Sequence, residues 1–437
     1  MSGGNDRRRK VVITGMGIVS PIGIGTEAFW KSIEEGRSGI GRLERLPASA
    51  APGNVGAEVK EFTEAEARKK YLKPLRKSVK VMCREIQLGV ASAVIALESC
   101  EGAFDDLDRK RIGIEFGANQ MFSPVVTLTE ACRACIDPET GDFTYERWGS
   151  EGMSRLEPLW LLKHLPNMPA CHISIFADAQ GPSNSIVQAD ASANLALAEA
   201  VRVIERNAAD VMLAGAAGSW VHEVRCVHSR LWGELAEGNP EEPPERWCRP
   251  FDKNRNGTVV GEAACTFILE EQSHAEARGA TIYGTVLGGG SSCVRDSQGR
   301  PNLRAALVNA MRQALEEAQI SPSEVGHINA NAPGMKDTDR EEALAIRDVF
   351  GEKADEVPVT SFKSYIGSSC AGCGAIELAA SLLGLKNGVV PPTLNYETPD
   401  PECPLNVVAG SPQPARNNVV LNLNVTRMGQ ASALVVG

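Results

Sequence analysis

Asp190 is the residue that most invites a chemical reading, a lone carboxylate at the head of a long run of small and apolar residues. It lies within GPSNSIVQADASANLALAEAVRVIERNAADVMLAGAAG, from Gly181 to Gly218. The segment reads as a glycine-proline turn, a helix from Asp190 to Arg206 and a buried strand from Asp210 to Gly215. A helix so rich in Ala and Leu is too apolar for a surface, so its N-terminus should point into the protein, where unpaired N–H groups favour a negative charge. Asp is equally a preferred helix cap, worth about 1 kcal/mol without any catalytic role.

The cysteines offer a second chemistry. Twelve are scattered along the chain in the manner of reduced thiols, many in apolar contexts such as Cys83, Cys171 and Cys265. Cys132/Cys135 and Cys370/Cys373 have C-x-x-C spacing, and a zinc site would have to join the two pairs. The second pair sits in a Gly/Ala-rich segment with no His beside it, and no metal site is read.

The elements that must position these groups follow from patterning. KVVITGMGIVSP, from Lys10 to Pro21, reads as a buried strand, followed by a helix over Thr26 to Glu35 and an insertion or cap between Gly41 and Ser78. Helical spacing covers Val79 to Ser99, and Arg111 to Gly117 and His172 to Phe176 read as strands. Met121 to Pro169 reads as a partly buried cap or partner-facing lobe. Beyond GNPEEPPERW (Gly238 to Trp247), strands are expected at Ala264 to Leu269, Thr281 to Leu287, the His327 to Asn331 strand end and Val419 to Asn424. Helices are expected at Asn302 to Gln319, Arg340 to Val349 and Gly374 to Leu385. The reading divides the chain into a basic tail (1–10) and two βαβ-rich halves (11–250 and 251–437), duplicated in architecture without a repeat at the level of letters.

Bulk properties bound the function. The 437 residues, 43% hydrophobic and 23% charged, match an ordinary globular chain. A formal charge of −10 gives no general basis for binding nucleic acid or an anionic membrane, and Arg7 to Lys10 reads as a solvated basic tail. No run approaches the roughly 18 apolar residues of a membrane span. The start MSGGNDRRRK lacks the apolar segment of a secretory signal, and the expected location is the cytoplasm.

From about Val11 to the C-terminus the chain resembles the condensing enzymes of the thiolase superfamily, specifically the ketosynthases of fatty-acid and polyketide synthesis. The resemblance is carried by VVITGMGIVSPIG, LPNMPACHISI, RPFDKNRNGTVVGEAA, GHINANA, KSYIG and VVPPTLNYETPDPEC, in family order. It implies an α/β thiolase fold of five αβαβα layers, two-fold dimers, acyl carrier protein as partner and no cofactor. It also implies a nucleophilic Cys at the N-terminus of the buried helix, where the helix end lowers a thiol pKa and backbone amides stabilise an oxyanion. Asp190 stands at that place, in Gln188-Ala189-Asp190-Ala191-Ser192. The two family histidines, in N-A-H-G-T and K-S-x-x-G-H motifs, correspond to Asn331 and Ser368. None of the six histidines falls on a catalytic position, and His327 reads as a strand residue. The family's N-x-F-G-F-G-G-T-N loop is replaced by Asn424 to Ser432, in which Thr426, Arg427, Met428 and Gly429 line the pocket. Arg427 is expected to pair with Asp190 and plug the site, since an unpaired buried carboxylate is costly. Lys363, Glu262, Asp339 and Glu342 match family positions, and the three acids are expected in a buried network that holds loops together.

These substitutions make the leading expectation a non-condensing subunit similar to a chain-length factor. Such a subunit pairs with a Cys-containing ketosynthase and shapes its acyl tunnel. Two alternatives stand beside it: altered chemistry on carrier-protein thioesters using Asp190 with Lys363, since a carboxylate near a lysine can do acid–base work, and a homodimer that binds an acyl or pantetheine group without turnover.

Overall fold

A computed structural model describes residues 9–100, 102–239 and 241–437. Most of the basic tail, 1–8, lies outside the described residues. Arg9 is not a solvated charge: it ion-pairs with Asp210 at 2.7 Å and donates to the carbonyls of Ile204 and Ala209.

Of the eleven strands in the central β-structure of the described residues, one is the short strand Gly23–Ile24, which pairs back on Val19 and Ser20, and the other ten build two matching sheets. In the first half these are β1 (Val11–Ser20), β2 (Ile112–Gly117), β3 (Ser183–Ile186), β4 (Val211–Ser219) and β5 (Glu262–Glu271), in the order β3-β2-β4-β5-β1. In the second half they are β6 (Gly284–Cys293), β7 (His327–Asn329), β8 (Val359–Thr360), β9 (Val420–Val425) and β10 (Gln430–Val436), in the order β8-β7-β9-β10-β6. Each sheet has two parallel pairings followed by two antiparallel ones. The expected duplication is therefore one of order and direction. A short antiparallel contact of Val12 and Ile13 with Thr285 and Gly284 joins the sheets.

Seven helices complete the layers. α1 (Arg84–Glu98) and α2 (Met168–Ala177) cover the outside of the first sheet, and α5 (Leu303–Ala318) and α6 (Lys336–Phe350) lie on the outside of the second. α3 (Ser192–Glu205) and α7 (Cys373–Lys386) fill the middle, touching each other and strands of both sheets. α4 (Glu223–Leu231) follows β4 at the edge of a cavity. Buried on every side, α7 reads CGAIELAASLLGLK with a single acid. A helix apolar all round belongs in a core, and the result is the five-layered αβαβα arrangement.

Several expected elements change. His172 to Phe176 is helical, inside α2: the apolar run is too short to fix its period, and Pro169 in the first turn suits a helix start, where its missing N–H costs nothing. Residues 79–81 form a separate turn, and the helix begins at Arg84. The boundary read at 250 divides the sequence before β5, yet β5 pairs with β1 and β4, so the first sheet runs on to Glu271. The edge strand β3 had no apolar signal, being SNSI, and β10 follows a stretch read as loop. The 121–169 region carries the helix Val125–Ala134 and exposes Val126, Tyr145 and Leu161. No helix among the described residues is long and apolar enough to cross a membrane.

Candidate active-site cavity

Asp190 sits in the middle of a one-turn 3-10 segment, Ala189–Ala191, that leads directly into α3. It is not the cap of that helix: the Gln188 N–H donates to Ser192 Oγ, and the Asp190 side chain accepts no capping bond. Ala189 has φ of 46°, a left-handed conformation that costs a residue with a Cβ about 1–2 kcal/mol. The turn so formed presents Asp190 to a cavity of about 660 Å³. α7 opens in the same way, with Cys370 at φ 62° leading the turn Cys370–Gly372.

The cavity gathers Asp190, Asn331, Ser368, Thr426, Arg427 and Met428, residues from both halves of the chain. Gly429 does not line it; at φ 88° it closes the turn between β9 and β10. Cys370 and Cys293 share the lining, but no imidazole does. Burial raises the Asp190 carboxyl to about 6, with the nearby Lys363 charge opposing the shift. Burial also pushes the Cys370 thiol well above its usual range, keeping it a thiol; its sulfur lies 3.9 Å from Asp190 Oδ2.

The expected ion pair between Asp190 and Arg427 is not formed. Arg427 reaches the other way, bonding Glu234 at 2.8 Å and lying 3.5 Å over the Trp232 ring. Glu234 is buried in the wall of the same cavity, and the guanidinium of Arg427 offsets the cost of burying that charge. The turn is thereby tied to the loop after α4, and Asp190 has no guanidinium partner within ion-pair distance among the described residues.

Behind the cavity lies a fully buried polar cluster. Lys363 Nζ bonds Glu377 at 2.6 Å and the Asn331 side-chain oxygen at 3.1 Å, and Asn424 Nδ2 donates to the other Glu377 oxygen. Burial alone would lower the Lys363 pKa, but Glu377, with Cys373 and Asp190, more than offsets this and holds the amine charged. Glu342 accepts the Asn331 and Ala332 N–H groups, and burial still lifts it to about 8. Asp339 accepts the N–H groups of Phe251, Gly334 and Met335 and lies 3.5 Å from Arg255; burial lifts it to about 7. Glu262 belongs to a different cluster, bonded to Arg84, Arg45, Ser219 Oγ and the Val59 N–H. No group of three or more potential metal ligands occurs among the described residues.

Glu377, Asn424, Glu234 and Asn119 are site residues that the motif reading passed over. Glu377 had a legible signal, the one acid of an otherwise apolar helix. Asn119, at the end of β2, ties Glu85 to the Cys370 turn through the Ala371 N–H. Glu234 sits in a loop without pattern.

Comparison with known proteins accounts for this architecture. Family models for the beta-ketoacyl synthase N-terminal domain and C-terminal domain match residues 8–275 and 283–397. The chain is 30% identical over 430 residues to 3-oxoacyl-[acyl-carrier-protein] synthase 2 of Coxiella burnetii, covering 98% of both chains. It is 31% identical over 442 residues to the oxytetracycline polyketide putative beta-ketoacyl synthase 1 of Streptomyces rimosus, covering 98% of this chain and 97% of that one. Among solved structures it superimposes on the ishigamide ketosynthase/chain length factor with TM-score 0.83 and 27% identity, over 98% of this chain and 99% of that one. It also superimposes on a type II polyketide ketosynthase, AntDE, in complex with its acyl carrier protein AntF, with TM-score 0.81 and 26% identity, over 98% and 99% of the chains. With its two domains matched in sequence and its duplicated sheets matched in space, the chain belongs to the beta-ketoacyl synthase family.

Proposed function

We propose that this chain is a non-condensing subunit of a type II fatty-acid or polyketide system that pairs with a Cys-containing ketosynthase and shapes the acyl tunnel. The observation that carries the reading is the cavity lining: Asp190 on the turn before the buried helix, Asn331 and Ser368 opposite, and no imidazole. A carboxylate there is a poor acyl acceptor, because a mixed anhydride lies uphill of a thioester. Without an imidazole in reach, the cavity lacks the usual group for moving a proton near neutral pH. The neighbouring Cys370 is held in its unreactive thiol form, and Lys363 is committed to Glu377 and Asn331.

Partnership is supported from the surface. Among the described residues β3 ends its sheet with one side unpaired, and Ile175 on α2 is exposed, with Val126, Tyr145 and Leu161 of the neighbouring lobe exposed as well. Edge strands and clustered apolar residues are features that a partner covers. One structural neighbour is a ketosynthase/chain length factor and another holds an acyl carrier protein. These are the partner kinds inferred for this chain, in the cytoplasm.

The test is co-expression with a Cys-containing ketosynthase from the same gene neighbourhood, with mass measurement of the purified assembly and of product length. The expected outcome is a one-to-one complex whose products differ in length from those of the ketosynthase alone. A chain that neither binds the ketosynthase nor changes its product overturns the proposal.

A further inference from the structure

The C-x-x-C pair Cys370/Cys373 has no part in shaping an acyl tunnel, yet the fold fixes it firmly at the head of α7. Cys370 leads the turn at φ 62°, and the Cys373 N–H donates to the Cys370 carbonyl. A turn closed by that bond keeps the two Cα atoms within about 7 Å, close to the span that a disulfide bridges. The residues between them are held as well. The Ala371 N–H donates to Asn119 Oδ1 at 3.0 Å, and a Cβ on Gly372 would collide with the Ala263 carbonyl oxygen.

The two sulfurs are not equivalent. Cys370 lines the cavity of about 660 Å³, whereas Cys373 is fully buried behind it and accepts the Ser369 N–H at 3.2 Å. Asp190 Oδ2 lies 3.9 Å from Cys370 Sγ, and its charge acts on both thiols. Burial raises Asp190 only to about 6, so it is ionised at neutral pH and can take a proton. Burial also keeps both sulfurs protonated at rest, Cys373 at about 11. Thiols of this kind are strong nucleophiles once deprotonated and poor leaving groups once joined, so a disulfide between them is held tightly. A cavity-facing sulfur, a second sulfur three residues behind it and a carboxylate beside the first make up the working parts of a dithiol that reduces disulfides.

We propose that Cys370 and Cys373 form a redox-active dithiol that reduces a low-molecular-weight disulfide entering the main cavity, a role independent of the partner-subunit reading. The Asp190 carboxylate takes the Cys370 proton as the Cys370 sulfur attacks one sulfur of the incoming disulfide. That S–S bond breaks, and its electron pair leaves on the other sulfur, which takes the proton from Asp190 and departs as a thiol. Cys373 then attacks the Cys370 sulfur of the mixed disulfide and passes its proton to the second departing sulfur. Two thiols leave, two electrons have passed to the substrate, and a Cys370–Cys373 disulfide remains until an external dithiol reduces it. Such a transient disulfide suits a reducing compartment, where a permanent one does not.

The experiment exposes the full chain, reduced and freed of reductant, to hydroxyethyl disulfide, with acid quench, mass measurement and peptide mapping over time. The expected product has lost two hydrogens and carries a link between Cys370 and Cys373. Cys373→Ser should stop at a hydroxyethanethiol adduct on Cys370, and Cys370→Ser should leave Cys373 a free thiol. Asp190→Asn should form the link about a hundredfold more slowly at pH 8. In that variant the exposed Cys293, which shares the cavity lining, should react at its unaltered rate, as a fold still intact requires. Three results overturn the proposal: Cys370 and Cys373 still free when Cys293 is modified, a link from Cys370 to Cys293, or a link that forms as fast in Asp190→Asn as in the unaltered chain.

Discussion

Asp190 has an environment that favours its neutral form, and this gives it a measurable signature. A carboxyl raised from 3.8 to about 6 binds its proton more tightly in the folded protein than in the unfolded one. Its contribution is therefore most favourable below the unfolded value and is lost as pH rises through about 6. Asp190→Asn should stabilise the protein at pH 8, by about 1–2 kcal/mol after allowance for water in the cavity, and change little at pH 4. Urea unfolding midpoints of the two proteins at both pH values check the sign. A variant less stable at pH 8 would mean that the carboxylate has a cation partner after all. At this scale the sequence was legible for position and silent on pairing. Asp190, Asn331 and Ser368, far apart in the sequence, line one cavity in the folded chain. Arg427 was assigned to Asp190 because nothing in the local sequence shows Glu234, whose need for a cation arises only from burial in the folded chain.

Between elements, the critical contact is the crossing of α3 and α7. Asn194 on α3 bonds Asn424 at 3.0 Å, and Asn424 in turn bonds Glu377 on α7 at 2.7 Å. Gly374 makes this approach possible: a Cβ there would lie 2.2 Å from Asn424 Oδ1 and 3.1 Å from Ala193 Cβ. Gly374→Ala should destabilise the protein by about 1–3 kcal/mol, although Ala is intrinsically the better helix former. Chemical denaturation reads the effect, and an unchanged midpoint would show that the two helices have room to separate. Long amphipathic helices such as α5 were readable because many turns repeat the same face. The five-residue run at His172 was not, since a strand and a helix differ little over so short a length. The edge strand β3 escaped because it takes its conformation from β2 and not from its own SNSI sequence.

For the whole molecule, the two halves do not have separate interiors. α3 and α7 share the central layer, and the polar chain from Asn194 through Asn424 and Glu377 to Lys363 links one half to the other. Residues 283–437 expressed alone should fail to fold, and the full chain should lose secondary and tertiary signals in one coincident thermal transition. Two resolved transitions by circular dichroism and tryptophan fluorescence would show that the halves are independent. Both central helices open on the same left-handed turn, Ala189–Ala191 in one half and Cys370–Gly372 in the other. The backbone thus casts one mould twice and fills each casting with different side chains. A mould survives a change of contents, so a chain of this kind can exchange the groups at a reactive centre while the frame around it, and the surface it offers a partner, stay as they were.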